Sequence, residues 1–329
     1  MDVARAAAIL RDGGTVAFPT ETVYGLGANA LSAIAVEQIF VAKQRPHWDP
    51  LIVHVADRAM VEVVARYDEL ESRLMDLFWP GPLTLLLPRT EMVPDAVTAG
   101  RARVGVRFPG HPVARDLIRA AGVPVAAPSA NRFGHTSPTT AAHVLDDLDG
   151  RIAAVLDGGA TSVGVESTVV EVGEEGVVVY RPGAVTLEML RSVSGVRQVT
   201  RYVAPERAGE PESLPSPGVG MRHYAPRAEM VLVEVSSPEV EKLSARVLAA
   251  GGNGRRVGVM LPEGWRSGSA ELIYQWGGWD RPEMLAQRLF AGLRALDEAG
   301  AEVIFCPVPA GDGIGAAIRD RLEKAARAK

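Results

Sequence analysis

From residue 15 to about 190 the chain alternates between short runs of Val, Leu and Ile and longer stretches whose apolar residues recur at helical intervals. The short runs fit strands and the longer stretches fit helices. TVAFPT reads as a strand running into a loop. LIVHV, LTLLL, ARVGVRF, PVAAP, IAAVLD and STVVEV read as further strands. Helices fit 57–65, 68–78, 112–120 and 139–147, and Ser32 can cap one carrying Ile34, Val36, Ile39 and Phe40. Near the N-terminus, Val3, Ala7 and Leu10 line a short amphipathic helix stopped by Gly13 and Gly14. Strands alternating with helices predict an α/β domain over 1–191, built on an open, twisted sheet of mixed direction.

The pattern fails between 192 and 228, where VAPERAGEPESLPSPGVGMRHYAPRAE holds five prolines and few apolar residues. That stretch reads as an extended linker. Alternation then resumes over 229–329: VLVEV, a helix over 238–250, RVGVMLP, ELIYQW, a helix over 281–298, AEVIFCP and a helix over 314–327. This predicts a second, smaller, Rossmann-like α/β domain. GDGIGAA has the wrong glycine spacing and the wrong place for a dinucleotide fingerprint, and it reads as the entry turn of the last helix.

Composition narrows the class. The 329 residues are long for one core, and 47% are hydrophobic, a globular profile. The formal net charge is −5 and no basic run forms a face for duplex nucleic acid, so any RNA contact is expected to be transient. Cys306 is the single cysteine, which leaves no intrachain disulfide and no cysteine zinc site. No apolar run approaches the ~20 residues a membrane span needs, and the N-terminus is too polar for a signal peptide. A cytoplasmic enzyme is expected. Lysine plus arginine total 35, yet lysine stands only at 43, 242, 324 and 329. Lys43 is then either chance or a place that needs a compact ammonium.

Candidate chemistry clusters at strand ends. PTETVYGLG, residues 19–27, sets Thr20, Thr22 and Tyr24 beside Glu21 and two glycines, the make-up of a polar pocket or of a solvated turn. Lys43 and Arg45 lie at a helix end before Pro46. They can hold a polyphosphate or simply favour the helix dipole. His54 sits in an apolar strand. Arg103 and Arg107 are four apart on another strand, so they share a face and need an anion, either a ligand or a structural carboxylate. APSANRFGHTSPT, residues 127–139, follows a strand with Ser129 and Asn131 and leads through Ser137 into a helix started at Pro138. Small hydroxyls and amides there suit phosphate oxygens or ordinary capping. Ser167 and Thr168 enter a strand in GVESTVV, and Arg181 closes the next in RPG. No P-loop, HExxH or paired Cys/His spacing is present, so no protein-held metal is expected.

PTETVYGLG, KQRP with PLIVHV, PGPLTLLL, VRFPGHP, APSANRFGHTSPT, GVESTVV, RPG and SPGVGMRHYAP stand in this order along nearly the whole chain. Together they resemble the two-domain YrdC-like threonylcarbamoyl-AMP synthases. The resemblance implies an open twisted α/β sheet whose concave face holds L-threonine, bicarbonate and ATP, with Mg2+ riding on the triphosphate. It implies a threonine site of Thr22, His54, Arg107 and Ser167. It implies an ATP site of Lys43, Arg45, Arg103, Ser129, Asn131, Ser137 and Arg181, with Lys43 and Arg45 catalytic and Tyr224 of the linker closing over the nucleotide. The product would pass to a tRNA threonylcarbamoyl-transferase complex. Double-stranded RNA binding belongs to the same expectation, limited by the charge to transient contact. Two other classes are weighed. An RNA-binding module is disfavoured by the acidic charge and the lack of interleaved aromatic and basic residues. A carbamoyl-phosphate-dependent transfer domain lacks here its zinc-finger-type and acylphosphatase segments.

Overall fold

A computed structural model describes residues 1–203, 213–216, 224–234, 247, 249, 254–267 and 270–327. The chain divides into two compact units. The first is Met1–Phe133, Ser137–Ser162 and Glu166–Gly220, and the second is Gly134–Thr136, Val163–Val165 and Met221–Lys329.

The first unit is built on a ten-stranded sheet. Its strands are β1 (Val16–Phe18), β2 (Gly25–Asn29), β3 (Ile52–His54), β4 (Leu83–Pro88), β5 (Arg103–Arg107), β6 (Val125–Ala126), β7 (Ala154–Val155), β8 (Thr168–Gly173), β9 (Gly176–Arg181) and β10 (Val199–Arg201). They run in the order β10-β9-β8-β4-β5-β3-β6-β2-β1-β7. The sheet is mixed, as the pattern predicts: β3/β5 and β4/β8 are parallel, while β4/β5, β2/β6 and β8/β9 are antiparallel. Residues 192–203 of the expected linker include β10, which pairs with β9 at the sheet edge, and farther on the Leu214 amide donates to the Trp48 carbonyl at 2.9 Å.

Helices cover the sheet where the periodicity places them. Val3–Arg11 is capped by the Asp2 carboxylate on the Arg5 amide. It shares one apolar cluster with Pro112–Ala121: Ala6, Ala7 and Leu10 meet Ala114, Leu117 and Ile118. Ser32 caps Ala33–Lys43 as expected, through Ala35 N at 3.3 Å. That helix buries Val36, Ile39 and Phe40 but leaves Ile34 outward, 82% exposed. The helix expected to start at Pro138 begins at Ala141 instead. The Pro138 carbonyl is taken by the Tyr24 amide, and Thr140 Oγ1 accepts from the His143 amide as the N-cap. Strand β2, rich in glycine, carries no apolar alternation. Its Gly27 is needed for packing, since a Cβ there would come within 2.7 Å of Val125 and 2.8 Å of the Phe18 ring.

The second unit holds a four-stranded, all-parallel sheet of Glu229–Glu234, Val303–Val308, Val257–Pro262 and Leu272–Gly277, in that spatial order. Helices Pro282–Glu298 and Gly315–Ala325 complete its described part, and Gly315 opens the last helix, as the turn reading expects. The helix expected over 238–250 falls almost entirely outside the described residues. No described helix is long and apolar enough to cross a membrane.

Candidate active site

The loop after β1 turns on Thr20. Its hydroxyl donates to the Val23 carbonyl at 2.6 Å and accepts from the amides of Thr22 and Val23. The turn brings Thr22 Oγ1 within 2.9 Å of both Thr20 Oγ1 and Arg107 Nη1. Arg107 ends β5 in register with His54 on β3. Its Nε donates to the Gly81 carbonyl at 3.3 Å, and Nη2 lies 2.7 Å from Glu21 Oε1. The other Glu21 oxygen accepts from the Gly110 amide at 2.9 Å. Burial works against the Glu21 charge, but Arg107 and the donated hydrogen bonds outweigh it and hold the carboxyl below its ordinary range.

His54 is buried, edge-on to Phe18 at 6.0 Å, and its Nδ1 has no hydrogen-bond partner among the described residues. Burial first and the Arg107 charge second push its pKa down to about 3, so the imidazole is neutral. On the far side of β4, Ser167 Oγ lies 2.8 Å from Thr84 Oγ1 and accepts from Arg181 Nη2 at 3.0 Å, while Arg181 Nε donates to the Ser167 carbonyl. The Gly81–Pro82 backbone ties the two groups together: Arg107 Nε donates to Gly81 O and the Thr168 amide to Pro82 O. Gly183 fits this corner because a Cβ would sit 2.4 Å from Thr168 N. Thr22, His54 and Arg107 thus form one buried polar group, and Ser167 with Arg181 forms a second.

Lys43 and Arg45 take different partners although one residue apart. Gln44 between them is left-handed, with φ 52°, and ends the helix. Lys43 Nζ donates to the carbonyls of Ser129 (2.6 Å) and Asn131, and the Phe133 amide donates back to Lys43 O. The lysine thereby fixes the segment carrying the Ser129 and Asn131 side chains. Burial, with the charge of Arg45 next, holds the Lys43 amine well below the usual lysine range, against Asp147 and Asp49. Arg45 pairs with Asp49 at 2.8 Å and donates to the carbonyls of Asp49 and Pro50, with Phe133 at 5.9 Å. Ser137 Oγ donates to Glu166 Oε1 at 2.5 Å.

Arg103 meets a structural carboxylate. Its Nε lies 2.7 Å from Glu171 Oε1, with Tyr180 OH on the second Glu171 oxygen. Tyr224 belongs to the second unit, where its buried ring stacks on Phe290 at 5.6 Å and lies 5.4 Å from the Arg321 guanidinium. Gly218, Gly220 and His223 of the SPGVGMRHYAP motif lie outside the described residues. Glu21, Thr84 and Glu166 are site residues that the sequence reading did not single out. Each sits inside a quoted motif, Thr84 within PGPLTLLL, yet its partner Ser167 is 83 residues away. Among the described residues no group of three His, Cys, Asp or Glu side chains gathers as a metal cluster.

The first unit is an open mixed α/β sheet with buried arginines and hydroxyls at its strand ends, and the second is a parallel α/β unit. The family described as "Telomere recombination" (Sua5_yciO_yrdC) matches residues 8–183, and "Threonylcarbamoyl-AMP synthase, C-terminal domain" matches 185–327. The chain belongs to the two-domain Sua5 family. It is 43% identical over 328 residues to the threonylcarbamoyl-AMP synthase of Bacillus subtilis, covering 98% of this chain and 92% of that one. It is 42% identical over 322 residues to the enzyme of that name from Pyrococcus abyssi, covering 97% and 92%. The solved P. abyssi Sua5 complexed with L-threonine superposes with a TM-score of 0.89 at 40% identity, over 98% of this chain and 94% of that one.

Proposed function

We propose that this chain is a threonylcarbamoyl-AMP synthase, a nucleotidyltransferase that forms threonylcarbamoyl-AMP and pyrophosphate from L-threonine, bicarbonate and ATP for tRNA modification in the cytoplasm. The observation that carries the reading is the buried Arg107–Thr22–His54 group, in a chain similar over nearly its full length to a protein solved with L-threonine. Arg107 takes the substrate carboxylate, for which a guanidinium fork is the natural partner. Thr22, the neutral His54 and Ser167 receive the remaining polar groups.

The deprotonated amine attacks the carbon of CO2 derived from bicarbonate. A C–N bond forms, the nitrogen loses a proton, and a carbamate results. A carbamate oxygen then attacks the α-phosphorus, the bond to the bridging oxygen breaks, and pyrophosphate leaves with the electron pair. Both reactants are anions, so the work of the site is positioning and charge compensation. Lys43 contributes by fixing the Ser129–Asn131 segment and by supplying positive charge once phosphate arrives. Arg45, Arg103, Ser129, Asn131, Ser137 and Arg181 are the proposed nucleotide contacts, with Tyr224 as the linker contact. Mg2+ enters with ATP as part of that substrate. The product passes to a tRNA threonylcarbamoyl-transferase, and contact with RNA by this chain is at most transient.

The test is pyrophosphate release from protein, ATP, L-threonine and bicarbonate. Release that requires all three supports the reading, and release indifferent to threonine or bicarbonate overturns it.

A further inference from the structure

Arg107 is more than a free cation waiting for a carboxylate. Glu21 already sits on it, 2.7 Å from Nη2, and both side chains are nearly sealed from solvent, 4% and 12% exposed. Glu21 is also locked in place. Its second oxygen takes the Gly110 amide at 2.9 Å. Displacing Glu21 would unmake two charge-assisted contacts at once. A guanidinium has five N–H donors. Two are hydrogen-bonded, to Gly81 O and Thr22 Oγ1, and Glu21 sits on Nη2, which leaves one donor on each of Nη1 and Nη2 for a second anion.

The charges next to one another then matter. Arg107 and Glu21 cancel. His54 is neutral, and burial also lowers the pKa of His111 despite the Glu21 carboxylate near it. A site holding one fixed cation beside one fixed anion is the electrical complement of a zwitterion. A ligand with only a carboxylate gains the attraction of Arg107 and meets the repulsion of Glu21. An amino acid can gain from both.

We propose that Glu21 is a substrate-positioning residue that fixes the Arg107 fork and makes the amino-acid site select a zwitterion over a simple hydroxy acid. This rests on the synthase reading above and concerns the docking of threonine before any chemistry.

The experiment is calorimetric titration of the full chain, without ATP or bicarbonate, with L-threonine and with 3-hydroxybutyrate. The second ligand keeps the carboxylate and the β-hydroxyl and lacks the amine. The wild-type chain should prefer threonine at least a hundredfold. Glu21→Gln should weaken threonine at least tenfold, leave 3-hydroxybutyrate unchanged or tighter, and so collapse the preference at least tenfold. In turnover, the threonine KM should rise while the ATP KM stays put, a split that general loosening of the fold would not give. Glu21→Asp keeps the charge but cannot reach Arg107 and Gly110 together. It should weaken both ligands while keeping most of the preference, and it decides the matter if Glu21→Gln does not fold. A folded Glu21→Gln that binds threonine within threefold of wild type with its preference intact overturns the inference alone, as does a Glu21→Asp that loses the preference. A wild-type chain that binds no threonine overturns the synthase reading and this inference with it.

Discussion

Arg103 and Arg107 are the same residue type, four apart on one strand and aimed at one face, yet they live in different physics. Arg107 is 4% exposed and is held by a carboxylate only 12% exposed, a hydroxyl and a carbonyl. Arg103 is 37% exposed and pairs with a partly exposed Glu171. Strand periodicity assigns both to an anion, and only depth separates them. A buried guanidinium is worth much to a ligand because water does not compete with it, while a surface ion pair is screened.

The largest contrast should come from removing each in turn. Arg107→Ala should abolish threonine-dependent pyrophosphate release. It should also cost roughly 3–5 kcal/mol of stability, because Glu21 is left buried without its partner. Arg103→Ala should cost about 0–1 kcal/mol. Denaturant midpoints and pyrophosphate assays on both variants decide it, and equal stability losses would break the comparison. If Arg103→Ala instead raises the ATP KM more than tenfold, Arg103 leaves Glu171 for the nucleotide during turnover.

Substrate discrimination tests the same buried group from the ligand side. A pocket that hydrogen-bonds a hydroxyl rejects a ligand lacking it by up to ~10⁴. Valine should therefore fail to drive pyrophosphate release, and comparable rates with valine would remove Thr22, His54 and Ser167 from that role.

Lys43 extends the comparison to a second buried cation, one without a carboxylate in direct contact. Its amine is held well below the ordinary 10.5 by burial. An arriving triphosphate favours the charged form, so ATP binding should take up a proton. ATP affinity should then fall as pH rises, in a window below the ordinary lysine range. Lys43→Ala should weaken ATP use by one to two orders of magnitude, in line with ~1.5–3 kcal/mol for a charged hydrogen bond. Titrations at several pH values in buffers of different ionisation enthalpy measure the proton uptake directly, and none at any pH would show that Lys43 serves only to hold Ser129 and Asn131.

A further effect is on stability in acid. The folded-state pKa of His54, about 3, is depressed from 6.5. Below 6.5 the unfolded chain therefore binds a proton that the folded chain refuses. Stability falls with decreasing pH at up to about 1.4 kcal/mol per unit until the folded pKa is reached. His54→Gln should flatten that limb between pH 6.5 and pH 4, read as the difference in melting temperature. Identical acid limbs would mean that His54 is not buried in solution.

The Val- and Leu-rich strands, the capped helices and the parallel C-terminal sheet were legible because each is encoded within a dozen residues. Strand β2 was not, since its glycines serve close packing against Phe18 and Val125 rather than an apolar face. The helix start at Thr140 in place of Pro138 was also hidden, because the Pro138 carbonyl is taken by Tyr24, more than a hundred residues earlier. Motif order named Thr22, His54 and Arg107 together, and the structure brings them into one buried polar group. Motif order did not reveal that Glu21, read only as a neighbour of three hydroxyl residues, carries the countercharge.

By itself the sequence determined which residues can do chemistry here: hydroxyls, arginines and one lysine at strand and helix ends, on local patterns that dictate an α/β chain. The tertiary structure alone decided how each is used. Lys43 grips carbonyls 86 and 88 residues away, Arg107 meets a carboxylate across 86 positions of chain, and Arg103 stays partly in water. Local propensity is fixed by neighbours in the chain, whereas the strength of a charge depends on what excludes water around it, and that is set by strands brought together from distant parts of the sequence.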